Sequence, residues 1–245
     1  MDFYQSISAY YDRIFPVDPT ALSFLDSKAK PASRILDIAC GTGGYSLALA
    51  ERVHRVTGID LDRAMIRAAR SKAGDLDGAP DFRVMDMLSM TAVLDPGFDL
   101  IFCIGNSLVH LKSDAQIGQL LAECRTLLLP RGVLVVQIIN YDRILAGGLT
   151  SLPTLHDEAA ALEFLRFNDL DPGGRLIVFR TELRVGRGAE QRVIRNQIPL
   201  RIVTSERLMR LVRAAGFGGL ESFGGFDGKA LSPESLPLIL VSRRD

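Results

Sequence analysis

The chain has 245 residues, with 29 basic and 29 acidic side chains and therefore a formal net charge of zero. Hydrophobic residues make up 47% and charged residues 24%, which suits a globular chain long enough to bury a core without disulfide or metal staples. The balance excludes a strongly basic protein built to grip a phosphate backbone, and no apolar run approaches the ~18–20 residues that cross a bilayer.

Cys40, Cys103 and Cys124 are odd in number and widely spaced, and His54, His110 and His156 are scattered. Neither set spells a disulfide framework or a metal site. The N-terminus lacks the basic start and apolar core of a signal peptide, so a cytoplasmic protein is expected.

In chain order, residues 3–14 place Phe3, Ile7, Tyr10 and Ile14 on one helical face, after which Pro16 and Pro19 interrupt the pattern. Residues 34–39 predict a strand, 45–52 a helix, 53–59 a strand ended by Asp60, and 62–72 a helix with Asp62 at its N-terminus. Short strands follow at 82–85 and 98–104. Residues 113–129 predict a long helix capped by Ser113 and stopped by Pro130, and 133–139 a fifth strand. Alternating strands and helices at this spacing predict a doubly wound, Rossmann-like α/β fold: a mostly parallel sheet with helices on both faces.

After Tyr141 the rhythm changes. Strand-like segments at 162–168, 175–183 and 191–203 are joined by turns such as Asp171-Pro172-Gly173-Gly174, which predicts a small antiparallel insert after strand five. A helix at 205–215, closed by Gly216, and a strand at 236–241 return to the main sheet. The expected organisation is one domain over 1–245. Within it, 1–30 form an N-terminal helical cap, 31–141 a cofactor-binding core, 142–203 a substrate-cap insert, and 204–245 complete the core sheet.

The most informative stretch is Ile35-Leu36-Asp37-Ile38-Ala39-Cys40-Gly41-Thr42-Gly43-Gly44. A strand delivers the chain to a glycine turn and a helix leaves it, at the place where open α/β sheets bind ligands. A dinucleotide would need a third glycine at position 46, which is Ser46, so the Gly-x-Gly-x-x-Gly fingerprint is incomplete. Asp60 follows Gly43 by 17 residues at the next strand end, and Asp86 ends the third strand. An ionised carboxylate at Asp60 offers two acceptor oxygens to the hydroxyls of a ribose. Each acid read singly also admits a structural role: Asp37 in orienting the glycine turn, Asp60 and Asp86 as ordinary strand-end acids.

Leu36 to Gly43 resembles the first motif of the class I S-adenosylmethionine (SAM)-dependent methyltransferases. The resemblance implies SAM as donor and S-adenosylhomocysteine as product. It implies a cofactor site formed by Asp37, Ala39, Gly41, Thr42, Gly43, Asp60, Leu61, Met65, Asp86, Met87 and Ile104. Ile104-Gly105-Asn106-Ser107-Leu108-Val109-His110-Leu111 and Asn140-Tyr141-Asp142 are similar to segments of the glycine/sarcosine N-methyltransferase group. That similarity implies Ile104 and His110 beside SAM, with Asn106 facing the acceptor. In that group an arginine that grips the substrate carboxylate precedes Asn-Tyr-Asp. Here the position is Ile139, which disfavours glycine itself and leaves Arg166 or another insert arginine to supply the charge.

Tyr11 lies about 100° round the helix from Tyr10, where it either closes over the methyl-transfer site or packs as a half-buried aromatic. His110 is open between general base and cofactor contact. Residues 163–201 carry eight arginines against five acids, read either as a cap that attracts an acidic acceptor or, more simply, as a solvated sheet face.

The expected activity is methyl transfer from SAM to an N or O nucleophile of a small molecule by in-line displacement, with Asn106, His110 and Tyr11 as catalytic candidates and no metal. The expected partner is a small-molecule acceptor, with no nucleic acid and no membrane, on a monomer or homodimer. An NAD(P)-dependent oxidoreductase, a non-catalytic SAM-binding protein and a methyltransferase acting on RNA or protein stand as alternatives.

Overall fold

A 3-10 turn at Ser8–Tyr10 leads into helix α1 (Tyr11–Ile14). The computed structural model describes residues 6–245, so the first part of the expected helix over 3–14 lies outside the described residues. Helix α2 (Pro19–Ser27) occupies the stretch that Pro16 and Pro19 mark as a break in the sequence pattern. Pro19 instead starts the helix, at a position where no backbone N–H is needed, and the Asp18 carboxylate accepts from Thr20 N at 2.8 Å.

There follow β1 (Arg34–Ile38), α3 (Gly44–Ala50), β2 (Arg55–Asp60), α4 (Arg63–Ala73), β3 (Asp81–Val84), β4 (Phe98–Cys103), α5 (Asp114–Leu127) and β5 (Leu128–Ile139). Asp62 caps α4 by accepting from Ala64 N and Met65 N, and Ser113 caps α5 by accepting from Gln116 N. Helix α5 ends before Pro130. The chain is already extended at Leu128, which pairs with Phe98, so the proline lies inside β5 rather than stopping the helix. The remaining elements are α6 (Tyr141–Gly147), β6 (Ser151–Asp157), β7 (Leu162–Leu170), β8 (Leu176–Val185), β9 (Arg192–Arg201), α7 (Ser205–Ala214), β10 (Phe217–Phe223) and β11 (Pro237–Arg244). Helix α6 and strands β6 and β10 add to the elements expected from sequence.

The main sheet has the order β10-β11-β5-β4-β1-β2-β3, parallel from β5 to β3, with β11 antiparallel to both β5 and β10. Side chains alternate between its faces. Leu36, Ile38, Ile101 and Leu134 pack with Leu120 and Leu121 of α5 and Leu208 and Val212 of α7. Ile35, Leu100 and Val135 pack with Phe24 and Leu25 of α2 and Leu49 of α3. Each such aliphatic side chain contributes about 1.5–3 kcal/mol on burial, which holds the strand ends, and the loops above them, in fixed register.

The second sheet, β6-β7-β8-β9, is antiparallel throughout. At one end its inner face (Leu162, Phe164 and Leu183) packs on Ile7 and Ile14. At the other, Ile177 and Leu200 join the main core. Among the described residues no helix is long and apolar enough to cross a membrane.

Candidate functional site

The turn between β1 and α3 is left-handed at every second residue: Ala39 (φ 58°), Gly41 (φ 55°) and Gly43 (φ 77°). Ala39 tolerates this at ~1–2 kcal/mol because the surroundings hold it. Cys40 N donates to Ile59 O and Gly43 N to Cys40 O, both at 2.9 Å. A Cβ on Gly43 would lie 2.4 Å from Phe82 Cζ, and one on Gly58 2.7 Å from Phe82 Cδ1. The two glycines therefore let the Phe82 ring of β3 slide beneath the turn.

Asp37, 3% exposed at the end of β1, accepts from Ser46 Oγ at 2.7 Å. The third position of a dinucleotide fingerprint is thus occupied by a serine that ties α3 to β1. Burial raises the Asp37 carboxyl from 3.8 to about 7 against the pull of that hydrogen bond. Asp60 ends β2. Its Oδ2 accepts from Gly41 N at 2.9 Å and its Oδ1 from Asp62 N at 2.8 Å. Burial raises its pKa as well. With the backbone of Gly41, Asp62 and Leu61 on its oxygens, the carboxylate still has acceptor capacity left for a ligand hydroxyl.

Asp86 lies exposed just beyond β3, with Oδ1 accepting from Leu88 N at 2.9 Å. Leu61, beside Asp60, is 70% exposed, an apolar side chain at a strand end where a flat ring could cover it. Met65 is buried in α4, Met87 is packed against the main core, and Ile104 is half-buried beyond β4.

The N-terminal segment lies across the turn. Gly41 comes so close to Tyr11 that an added Cβ would be 3.1 Å from the Tyr11 hydroxyl oxygen. Burial and the nearby Asp60 and Asp37 push the Tyr11 phenol well above its ordinary range, so it stays protonated as a donor. The Thr42 hydroxyl donates to Asp12, whose carboxylate also takes Lys72 Nζ at 2.9 Å on both oxygens. Asp12 therefore fastens α1 to the glycine turn and to α4, a role sequence reasoning missed because partners 30 and 60 residues away leave no local signature.

On the acceptor side, Asn106 is left-handed at φ 70°. Its Oδ1 accepts from Ile139 N at 2.9 Å and its Nδ2 donates to the Tyr141 hydroxyl at 3.3 Å. Its carboxamide thus locks the loop after β4 to the end of β5. The neighbouring Gly105 N donates to Gln137 Oε1 at 2.7 Å, a second lock not read from sequence. Tyr141 is fully buried, and burial pushes its phenol up to about 12. Its neighbours are structural too: Asn140 Nδ2 donates to Ser235 O at 3.1 Å, and Asp142 Oδ2 accepts from Ser205 N at 2.8 Å at the start of α7. His110 is half-buried and ends the turn Ser107–His110, against which β9 packs.

Arginines of the insert divide by face. Arg180 pairs with Asp169, Arg184 with Glu163 and Glu182, and Arg195 with Glu182, an ion-pair ladder on the outer surface. The solvated-face reading fits these residues. Arg166 is different: it lies on the inner face, half-buried, with Nη2 donating to Pro153 O at 2.6 Å. Taken together, the strand ends offer a glycine cradle, a carboxylate suited to a diol, an exposed apolar side chain and a further acid, with α1 lying across the cradle.

Residues 35–132 match the Methyltransferase domain family. The sequence is 31% identical over 204 residues to the glycine/sarcosine N-methyltransferase of Aphanothece halophytica, a match covering 81% of this chain and 71% of that protein. The fold resembles that of an S-adenosylmethionine-dependent methyltransferase from Clostridium acetobutylicum, with a TM-score of 0.79 and 17% identity over 99% of both chains. It also resembles a SAM-bound amino pentose methyltransferase from Micromonospora echinaspora, with a TM-score of 0.72 and 22% identity over 100% of this chain and 98% of that one. At those identities the two structures speak for the fold.

Proposed function

This chain belongs to the class I SAM-dependent methyltransferases, and from that premise we propose that it methylates a nitrogen of a small amine and that the residues gathered at the strand ends do the work. SAM supplies a methyl carbon already activated by the sulfonium charge. The residues present suit it. Asp60 keeps acceptor capacity for ribose hydroxyls, Leu61, Met87 and Asp86 offer an apolar and polar rim for adenine, and the turn from Ala39 to Gly43, with Asp37, Thr42, Met65 and Ile104 around it, takes the remainder. The choice of nitrogen rests on the named N-methyltransferase relative.

The chain's own work is alignment and exclusion of water, which together supply up to ~7–11 kcal/mol of a barrier. Tyr11 and α1 cover the glycine turn. Asn106 holds the β4 loop rigid rather than reaching for the acceptor. His110, at the end of that loop, is the group we assign to receive a proton from the amine, while Tyr11, held protonated, orients. The reading is of a cytoplasmic enzyme, monomeric or homodimeric, with residues 142–203 as its acceptor cap.

The observation that carries the reading is the Asp60 carboxylate fixed by Gly41 N and Asp62 N beside the left-handed turn. Titration calorimetry with S-adenosylhomocysteine, with NAD as control, tests the cofactor half. Micromolar binding of the former alone is expected, and binding of NAD alone would hand the site to the oxidoreductase reading. Transfer of labelled methyl from SAM to a panel of amines and alcohols tests the rest. Tight binding with no turnover on any acceptor would mean a sensor rather than an enzyme.

A further inference from the structure

On the inner face of the antiparallel sheet, three buried polar atoms have no hydrogen-bond partner among the described residues: Arg166 Nε, Asn168 Nδ2 and Thr181 Oγ1. Asn168 is 5% exposed and Thr181 3%. They are neighbours. Arg166 of β7 lies directly opposite Thr181 of β8, and Asn168 is the next β7 residue on the same face. Thr181 in turn faces Asn196 of β9, whose Nδ2 donates to Ser6 Oγ at 2.8 Å.

The place matters as much as the chemistry. One end of this face packs on Ile7, Ile14 and Tyr11 of the N-terminal segment, and the other joins Leu108 and Val109 of the β4 loop through Ile177 and Leu200. The polar band lies between them, on the sheet whose β9 packs against the His110 turn and whose other end holds the N-terminal segment that covers the glycine turn. Buried polar groups are ordinarily satisfied, and each left unpaired weakens the fold, so three together call for a ligand. All three atoms can donate, and two of them can only donate. Arg166 brings a positive charge that no carboxylate among the described residues answers; burial shifts its pKa downward, whereas the outer-face arginines are paired with acids. A charge in such a place needs a counter-charge.

Resting on the methyltransferase reading, we propose that Arg166, Asn168 and Thr181 form the acceptor-recognition site and that it takes an anionic oxygen group, carboxylate or phosphate, carried by the acceptor.

The test uses the full chain saturated with S-adenosylhomocysteine. Acetate and inorganic phosphate are titrated in, with acetamide as the neutral match and chloride as the salt control, and melting temperature is followed. One of the two anions is expected to raise it in proportion to concentration, acetate marking a carboxylate site and phosphate a phosphate site. Arg166→Gln is expected to weaken that anion roughly 10–100-fold through loss of a charged hydrogen bond, while S-adenosylhomocysteine affinity stays unchanged. Thr181→Val keeps the shape. It is expected to raise the melting temperature of the ligand-free protein, by removing an unsatisfied hydroxyl, while weakening the anion response. A merely structural threonine would do the opposite on the first count. Normal S-adenosylhomocysteine binding with no response to either anion overturns the proposal alone, whereas absent S-adenosylhomocysteine binding overturns the methyltransferase reading and the proposal with it.

Discussion

At the carboxyl ends of β1, β2 and β4, the polar groups around the glycine turn are answered from within the chain. Ser46 meets Asp37, Gly41 and Asp62 meet Asp60, and Ile139 and Tyr141 meet Asn106. On the inner face of the four-stranded sheet, Arg166, Asn168 and Thr181 each leave an atom unanswered among the described residues. The contrast separates two kinds of recognition. The first surface is set rigidly before any ligand arrives, which suits a cofactor that never varies. The second holds unmet donors that a ligand completes, which suits a group that must be chosen among competitors.

The hardest blow to the rigid half is Gly43→Val, which places a branched side chain where a Cβ alone would lie 2.4 Å from Phe82 and where φ is +77°. Overpacking and left-handed strain together are expected to remove ~2–5 kcal/mol of stability in urea unfolding, and S-adenosylhomocysteine binding with it. Next comes Asp60→Ala, expected to weaken S-adenosylhomocysteine binding ~10–100-fold by calorimetry, the scale of a lost charged hydrogen bond. If Arg166→Gln weakened it equally, the division between the two surfaces would dissolve.

A subtler effect lies in pH. The folded chain holds the Asp37 proton up to about 7, whereas the group ordinarily releases it near 3.8. Between those values the folded state binds more protons, so this group makes stability fall as pH rises from about 4 to about 7 and level off above. Asp37→Asn is expected to flatten that slope in melting curves taken across the range. The smallest effect belongs to the outer ladder: Arg195→Ala, which breaks an exposed pair with Glu182, should change stability within ~0.5 kcal/mol and leave ligand binding alone.

The parallel strands were legible because strands buried on both faces read as short apolar runs between turn residues, and the glycine turn because its residue types are dictated by backbone angle. What escaped did so for identifiable reasons. Pro19 reads as a break until Asp18 is seen to cap a helix behind it. Strand β10 carries Gly218 and Gly219 and pairs at the sheet edge through an irregular register, which blurs its alternation. Strand β6 contains Pro153 and shifts register between Leu152 and Leu155. Within the site, the residue types at Asp37, Asp60 and Asp86 could be read locally. The locks made by Asp12, Gln137 and Asn106, and the unmet donors of the second sheet, depend on which distant strand lies opposite which residue.

The ten residues from Ser6 to Phe15 touch both halves. Asp12 reaches Thr42 and Lys72, Arg13 reaches Asp157 at 3.0 Å, and the Phe15 ring stands edge-on to Phe164 with centroids 5.7 Å apart. Trimming this stretch would therefore do more than bare the cofactor turn. It would strip the cover from Leu162, Phe164 and Leu183 together, leaving a contiguous oily strip on a β-sheet that a second molecule would be quick to cover. Shortened chains should clump before they merely slow down.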